Sequence, residues 1–316
     1  MLQQTQVKKV IPYYLEFVRV FPTTTDLAKA DLSRVLKKWE GLGYYARARN
    51  LKKAAQKIMT EMNGQFPHTF EELLSLPGVG MYTAAAIASI AFDSVEPVVD
   101  GNVNRVLCRV LKIEHNPKSS KGREIVYQQA IQLIPSKRPG DYNQAIMELG
   151  ALVCKPGQPV CHACPIADLC NAYKDGSQQL YPKKTSKKTR PHYIIAAGLV
   201  WKEDELLIDR RREDAMLGGL WEFPGGKVKS GETAAQTVVR EVREEVNVKI
   251  AVKDLFMTVN HQYSHFTITL HVYHCHYLSG HPKALGCSEW RWVKKEELPD
   301  YAFPRANGKI IEKLLS

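Results

Sequence analysis

The sequence predicts two domains, an all-helical one followed by an α/β one, and three observations carry that reading. The chain has 316 residues, enough for two cores of ordinary domain size. Apolar residues recur at three- and four-residue intervals in the first half and alternate in the second. The charge is divided as well: residues 1–190 hold 27 Lys and Arg against 16 Asp and Glu, a net of +11, while residues 191–316 hold 17 against 17. Residues 174–191 are polar, basic and bracketed by prolines, which suits a linker and not part of a core. The expected boundaries are therefore a helical domain over 1–173, a linker over 174–191 and an α/β domain over 192–316.

Helices are expected where the helical period runs unbroken, at Leu32 to Trp39, Ala46 to Met59, Tyr82 to Ala91 and Asn143 to Val153, with Gly or Pro ending them. Strand alternation runs through Tyr193 to Trp201, Glu205 to Arg211, Phe266 to Tyr277 and Glu289 to Val293, around one helical stretch from Thr233 to Val246. No apolar run approaches the ~18 residues of a membrane span, and the N-terminus lacks the apolar core of a signal peptide. A soluble, cytoplasmic monomer is expected. The basic excess of the first part calls for a polyanion partner, most simply nucleic acid; a solvated basic surface is the plain alternative.

Four of the seven cysteines fall within one loop, Cys154, Cys161, Cys164 and Cys170, spaced C-x6-C-x2-C-x5-C. Four thiolates this close can hold an iron-sulfur cluster or zinc. Zinc ribbons usually supply two close pairs, and here only Cys161 and Cys164 form one. A disulfide framework belongs to secreted chains, which this does not resemble. Cys108, Cys275 and Cys287 are scattered and read as ordinary interior thiols.

Upstream lies Leu76 to Gly80 (LPGVG), in which two glycines permit a tight turn that leaves N–H groups exposed at a helix start. Such a turn can hold a DNA phosphate without reading sequence, or be a plain helix-helix connection. Asp100, before Gly-Asn-Val-Asn-Arg, fits a helix N-cap.

Together with Met1 to Gln6 (MLQQTQ), Gly41 to Asn50 (GLGYYARARN), Asn143-Gln144 and Glu148 to Cys154 (ELGALVC), these segments make residues 1–175 resemble the helix-hairpin-helix DNA glycosylases, and within them the MutY family of adenine DNA glycosylases. The resemblance implies an all-α glycosylase domain with a 4Fe-4S cluster in loop 154–170. It implies that Asp100 stabilises the sugar cation left when the N-glycosidic bond breaks. It gives Gly78, Val79 and Gly80 to the phosphate-gripping hairpin, Gln4, Thr5 and Tyr44 to the wedging of duplex DNA, and Gln144 to the extruded adenine. A base leaving deoxyribose passes through an oxocarbenium-like state, which a neighbouring carboxylate stabilises. An enzyme acting on a stacked base must also flip it out and fill the gap.

Tyr82 separates two branches of that superfamily. The glycosylase/lyases have a lysine here, which attacks the sugar as an amine; a phenol forms no Schiff base. A monofunctional glycosylase is expected. The family's general-acid glutamate lies two residues before the methionine matching Met1, in a segment of the form Ser-Glu-x-Met-Leu-Gln-Gln-Thr. A truncated sequence with its true start upstream is the favoured expectation, and a binding protein without excision the other.

In the second domain Gly226-x5-Glu232-x7-Arg240-Glu241-Val242-Arg243-Glu244-Glu245 resembles the Nudix box, with Asn247 where the box has Gly. Glu241, Glu244 and Glu245 stand at i, i+3 and i+4 and are expected on one helical face, where Mg²⁺ would offset their repulsion; with Gly226 they form a candidate Mg²⁺ site. Trp221 to Lys227 and Phe303 to Asn307 extend the likeness to MutT-type enzymes that hydrolyse 8-oxo-dGTP. Tyr263 to Phe266 resembles the Phe-Ser-His loop with which the MutY family reads 8-oxoguanine, which makes Ser264 and His265 candidate lesion contacts. The expected activity is removal of adenine opposite 8-oxoguanine or G in double-stranded DNA, with the basic linker as a candidate docking segment for repair partners. A Nudix pyrophosphohydrolase of oxidised nucleotides and a non-catalytic lesion-binding protein are the alternatives.

Overall fold

The computed structural model describes residues 1–2, 5–183, 190–263 and 266–316. Among them the helices are α1 (Val7–Val20), α2 (Thr24–Lys29), α3 (Leu32–Trp39), α4 (Ala46–Glu61), α5 (Phe70–Leu74), α6 (Met81–Phe92), α7 (Gly101–Val110), α8 (Ser120–Leu133), α9 (Pro139–Leu152), α10 (Asn171–Lys174), α11 (Ala234–Val246) and α12 (Arg305–Leu315). The strands are β1 (His192–Lys202), β2 (Glu205–Arg210), β3 (Trp221–Glu222), β4 (Gly225–Lys227), β5 (Lys249–Gln262), β6 (Thr267–Ser279) and β7 (Glu289–Lys294). The all-α then α/β order of the sequence reading is the observed one. Among the described residues no helix is long and apolar enough to cross a membrane.

The chain forms two compact units, one of Met1–Met59 with Thr189–Ser316, the other of Thr60–Lys188. This division differs from the expected boundaries. The reason is a shared core: Val35, Leu36 and Trp39 of α3 pack in one cluster with Leu220 and Ala302 from the C-terminal part. The Phe303 N–H donates to Glu40, and the Tyr45 hydroxyl and Lys37 ammonium donate to the carbonyls of Phe303 and Tyr301. Part of the stretch expected as linker is packed into a core. Tyr181 is buried against Val103, Leu107 and Val126, because its ring extends that core while its carbonyl accepts from the Arg109 guanidinium.

In the 60–188 unit, α9 is the packing centre. Its two glycines face neighbouring backbones. A Cβ on Gly140 would stand 2.5 Å from the Ser89 carbonyl oxygen of α6, and one on Gly150 would stand 2.6 Å from the Asn102 Cβ of α7. Only a missing side chain allows this approach, and it fixes α6 and α7, which carry the hairpin and Asp100, against one rigid element.

In the other unit, one seven-stranded sheet runs β3-β2-β1-β6-β5, with β4 paired to β1 and β7 to β2. The β1–β6 pair is parallel and the others antiparallel. Helix α11 covers one face through Val238, Val242 and Val246, and α12 the other through Ala306 and Ile310. Thr233 opens α11 with a capping box closed by Gln236. Asn247 ends it at φ 59°, the left-handed geometry that Asn tolerates better than most residues in place of Gly.

Candidate functional site

Three groups of side chains stand out, and two of them lie in the 60–188 unit.

The first surrounds Asp100. It caps α7, accepting at one carboxylate oxygen from the N–H groups of Asn102 at 2.8 Å and Val103 at 2.7 Å, and at the other from the Asn102 side-chain amide at 3.0 Å. Capping and a chemical role coexist here: three donors fix the carboxylate's direction while leaving it half-buried. Tyr82 lies at the start of α6, its hydroxyl 3.7 Å from the Met147 sulfur of α9. Burial first, and the Asp100 carboxylate second, push the Tyr82 phenol up.

Asn143 joins these elements, and sequence reasoning gave it no role of its own. It is 1% exposed; its carbonyl accepts from Val98 N–H, and its amide donates to Ser89 Oγ and the Glu96 carbonyl. One buried amide thus ties the extended segment ahead of Asp100 to α6 and α9. Gln144, next in the chain, is exposed. The hairpin follows α5: Gly78 takes φ 77°, Val79 N–H donates to the Leu76 carbonyl, and Gly80 is the N-cap residue of α6. Gly78 and Gly80 are exposed, so the turn presents its backbone to solvent.

The second group is the thiol loop. Cys154, Cys161, Cys164 and Cys170 line one small cavity with Val106, Leu149 and Arg109. Arg109, 2% exposed, donates to the Cys154 sulfur at 3.2 Å and to the carbonyls of Lys155 and Gln178. One turn earlier on α7, Arg105 donates to the carbonyls of Cys154 and Gly150 and to Asn102 Oδ1. The helix that Asp100 caps is therefore pinned to the loop by two guanidiniums. Burial first, then the neighbouring thiols Cys154 and Cys170, push Cys161 up, a cost that a bound cation would remove.

In the other unit Thr5 and Tyr44 are brought together by Arg47. The guanidinium stacks over the rings of Trp39 and Tyr44 and donates to the carbonyls of Met1 and Gly43 and weakly to Thr5 Oγ1. Tyr44 sits at φ 50° with its side chain exposed. Gln4, Ser264 and His265 lie outside the described residues.

The third group is in the sheet. A cavity of about 470 Å³ is lined by Arg211, Glu222, Glu241, Glu245, Tyr263 and Asn307, among others. The three glutamates expected on one face part company. Glu244 is exposed and pairs with Arg240. Glu241 also pairs with Arg240 and packs against Gly226, where any Cβ would collide with its carboxylate. Glu245 turns inward, accepts from the Gly225 N–H at 3.0 Å and joins Asp209 and Glu222, two residues that the box pattern does not contain. Burial first and Glu222 second push Glu245 up to about 8. The i, i+3, i+4 spacing misses this because it fixes where the Cβ atoms start and not where Arg240 and the strands draw the carboxylates.

Comparison with known proteins gives a family for each part of the chain. Residues 1–130 match the HhH-GPD superfamily of base excision DNA repair proteins, and residues 196–313 match the NUDIX domain. The chain is similar to the adenine DNA glycosylase of Rattus norvegicus, 36% identical, over 98% of this chain and 69% of that one. It is similar to that of Homo sapiens, 35% identical, over 98% and 66%, so it spans about two thirds of these mammalian relatives. For the adenine DNA glycosylase of Buchnera aphidicola subsp. Acyrthosiphon pisum the figures are 32% identity, 99% and 87%. Among solved structures, a thermostable thymine-DNA glycosylase is 28% identical, with a TM-score of 0.51 over 55% of this chain and 80% of that one.

Proposed function

Since the chain belongs to the adenine DNA glycosylases, DNA N-glycosylases of base excision repair, we propose that it removes adenine paired with 8-oxoguanine in double-stranded DNA and leaves the strand uncut. The observation that carries this is the Asp100–Tyr82 pair. The Asp100 carboxylate is directed by three hydrogen bonds, so it meets the developing sugar cation without reorganising, the condition under which fixed charge stabilises a transition state most. Beside it stands a phenol instead of an amine, which supports hydrolysis without a Schiff base and hence without strand cleavage.

The hairpin's exposed turn, from Gly78 through Gly80, suits a DNA phosphate, and Tyr44 with Thr5, held by Arg47, suits a wedge in the base stack. Exposed Gln144 suits the extruded adenine. Ser264 and His265 suit contact with 8-oxoguanine. For the thiol loop a 4Fe-4S cluster is the fitting group, on Cys154, Cys161, Cys164 and Cys170. Among the described residues no three of these sulfurs lie within 4.8 Å of one another, whereas zinc in a tetrahedral thiolate site needs them about 3.8 Å apart. Its role here is structural, holding the Arg105 and Arg109 anchor of α7.

The test is single-turnover adenine release from an 8-oxoguanine:A duplex, run on this chain and on the chain extended through its upstream reading frame, with and without borohydride. Release that Asp100→Asn lowers by about 10³-fold is expected, with no trapped adduct. Release undiminished in Asp100→Asn, or a borohydride adduct with a nicked strand, overturns it. The cavity beside Glu241 and Glu245 favours a second reading, a Nudix hydrolase of oxidised nucleotides; Mg²⁺-dependent pyrophosphate release from 8-oxo-dGTP would establish it, and base excision needs no such metal.

A further inference from the structure

Within the sheet the strand Glu205–Arg210 is apolar apart from its ends and Asp209, which is 1% exposed. Among the described residues no N–H or hydroxyl donates to either oxygen of its carboxylate. Such a group is costly to bury alone. Directly across the β2–β3 pair stands Glu222, and Glu245 enters from the last turn of α11. One oxygen of each of the three lies within 4.8 Å of the others. Glu222 is held at both oxygens by Arg211, each 2.6 Å away. Glu245 is held at one oxygen by the Gly225 N–H. When all three are ionised, three carboxylates and one guanidinium leave two negative charges, and the carboxylate left wholly without a donor among the described residues is the buried Asp209.

We propose that Asp209, Glu222 and Glu245 form an internal divalent-cation site, of the hard-oxygen type that takes Mg²⁺ or Mn²⁺. A divalent ion matches the two residual charges, and carboxylate oxygens are its preferred ligands. Glu222 and Glu245 also line the cavity, so the ion can be reached from solvent and can complete its coordination with water or with oxygens of a molecule in the cavity. This site is not the acidic face of the box: it takes from that face only Glu245, excludes Glu244 and gains its central ligand from β2. It is independent of adenine excision and stands or falls without it.

The experiment is a Mn²⁺ titration of the purified full chain, followed by the electron paramagnetic resonance of free Mn²⁺, at pH 8. Wild type, Asp209→Asn, Glu222→Gln and Glu244→Gln are compared, each first checked for folding by circular dichroism. One Mn²⁺ per chain is expected, with affinity lowered about tenfold or more in Asp209→Asn and Glu222→Gln and changed by less than about twofold in Glu244→Gln. If one inward variant does not fold, the other carries the comparison. In addition Mg²⁺ should raise the melting temperature of wild type and not of the inward variants, since a ligand stabilises only the state that binds it. Loss of binding in Glu244→Gln with retention in Asp209→Asn returns the metal to the exposed box and overturns the proposal. So does a wild-type chain that binds no Mn²⁺ up to about 10 mM, which would leave protons to neutralise the trio.

Discussion

Asp100 does two jobs with one carboxylate, and substitutions can separate them. As an N-cap it accepts two backbone N–H groups, which asparagine does about as well, whereas alanine costs about 1 kcal/mol. As an electrostatic group it needs its charge, which asparagine lacks. Asp100→Asn should therefore lower excision by the same ~10³-fold at unchanged urea midpoint, while Asp100→Ala should lose both; equal stability losses in the two variants would mean that the cap is not formed. Asn143 gives a different signature. Removing its side chain leaves the Val98 N–H and the Glu96 carbonyl buried without it, at about 1–3 kcal/mol for each group. Asn143→Ala is expected to lower stability by about 2 kcal/mol or more and to slow excision through loosening of the segment before Asp100, which denaturation and single-turnover rates measured side by side would register. A third residue, Asp209, works against the fold when it holds no cation. Asp209→Asn in chelator-treated protein should be more stable than wild type by about 1–3 kcal/mol, because an amide can donate to Glu222 or Glu245 where a carboxylate repels them.

At the scale of elements, α9 decides how precisely α7 is placed. A Cβ on Gly150 would stand 2.6 Å from the Asn102 Cβ and 3.0 Å from its backbone, and helix backbones cannot yield that distance without moving. Gly150→Ala should cost about 1–3 kcal/mol and displace the helix that presents Asp100, so excision should fall more than DNA binding. A variant with wild-type stability and rate would show that α7 and α9 pack more loosely. Much of this was legible. The helical period gave α3 as Leu32–Trp39, because one face of it is buried and the other is not, and β2 was placed to within a residue because it is a short apolar run, buried on both faces, between charged ends. Strand β5 was not legible. Its pairing with β6 slips at Lys249/Ile250, between Val252 and Leu255 and between Leu255 and Met257, and each slip breaks the two-residue period that marks a strand. Asp209 was hidden for the opposite reason: one acid in an apolar strand breaks no period, and its meaning lies in Glu222 across the sheet and Glu245 from a helix 36 residues on.

For the whole molecule, the cysteine spacing, the hairpin and the charge division announced the parts, but not that residues 1–59 would share a core with residues 189–316. That sharing depends on chain-distant pairs such as Leu36 with Leu220, which no local pattern encodes. It also sets how the molecule should respond to damage. Leu220 is fully buried in the cluster that contains Leu36, Trp39 and Tyr45, and truncating such a residue costs about 2–5 kcal/mol. If the cluster is one cooperative unit, Leu220→Ala in the sheet should accelerate amide hydrogen exchange in α3 and in the Tyr44 segment, although these lie some 180 residues earlier in the chain. It should then weaken DNA binding as well, because Tyr44 and Thr5 are held by Arg47, whose ring contact Trp39 belongs to the same cluster. Exchange that quickens only in β2 and β3, with α3 unchanged, would assign residues 1–59 to the helical domain alone and leave the sheet to fold as a separate body.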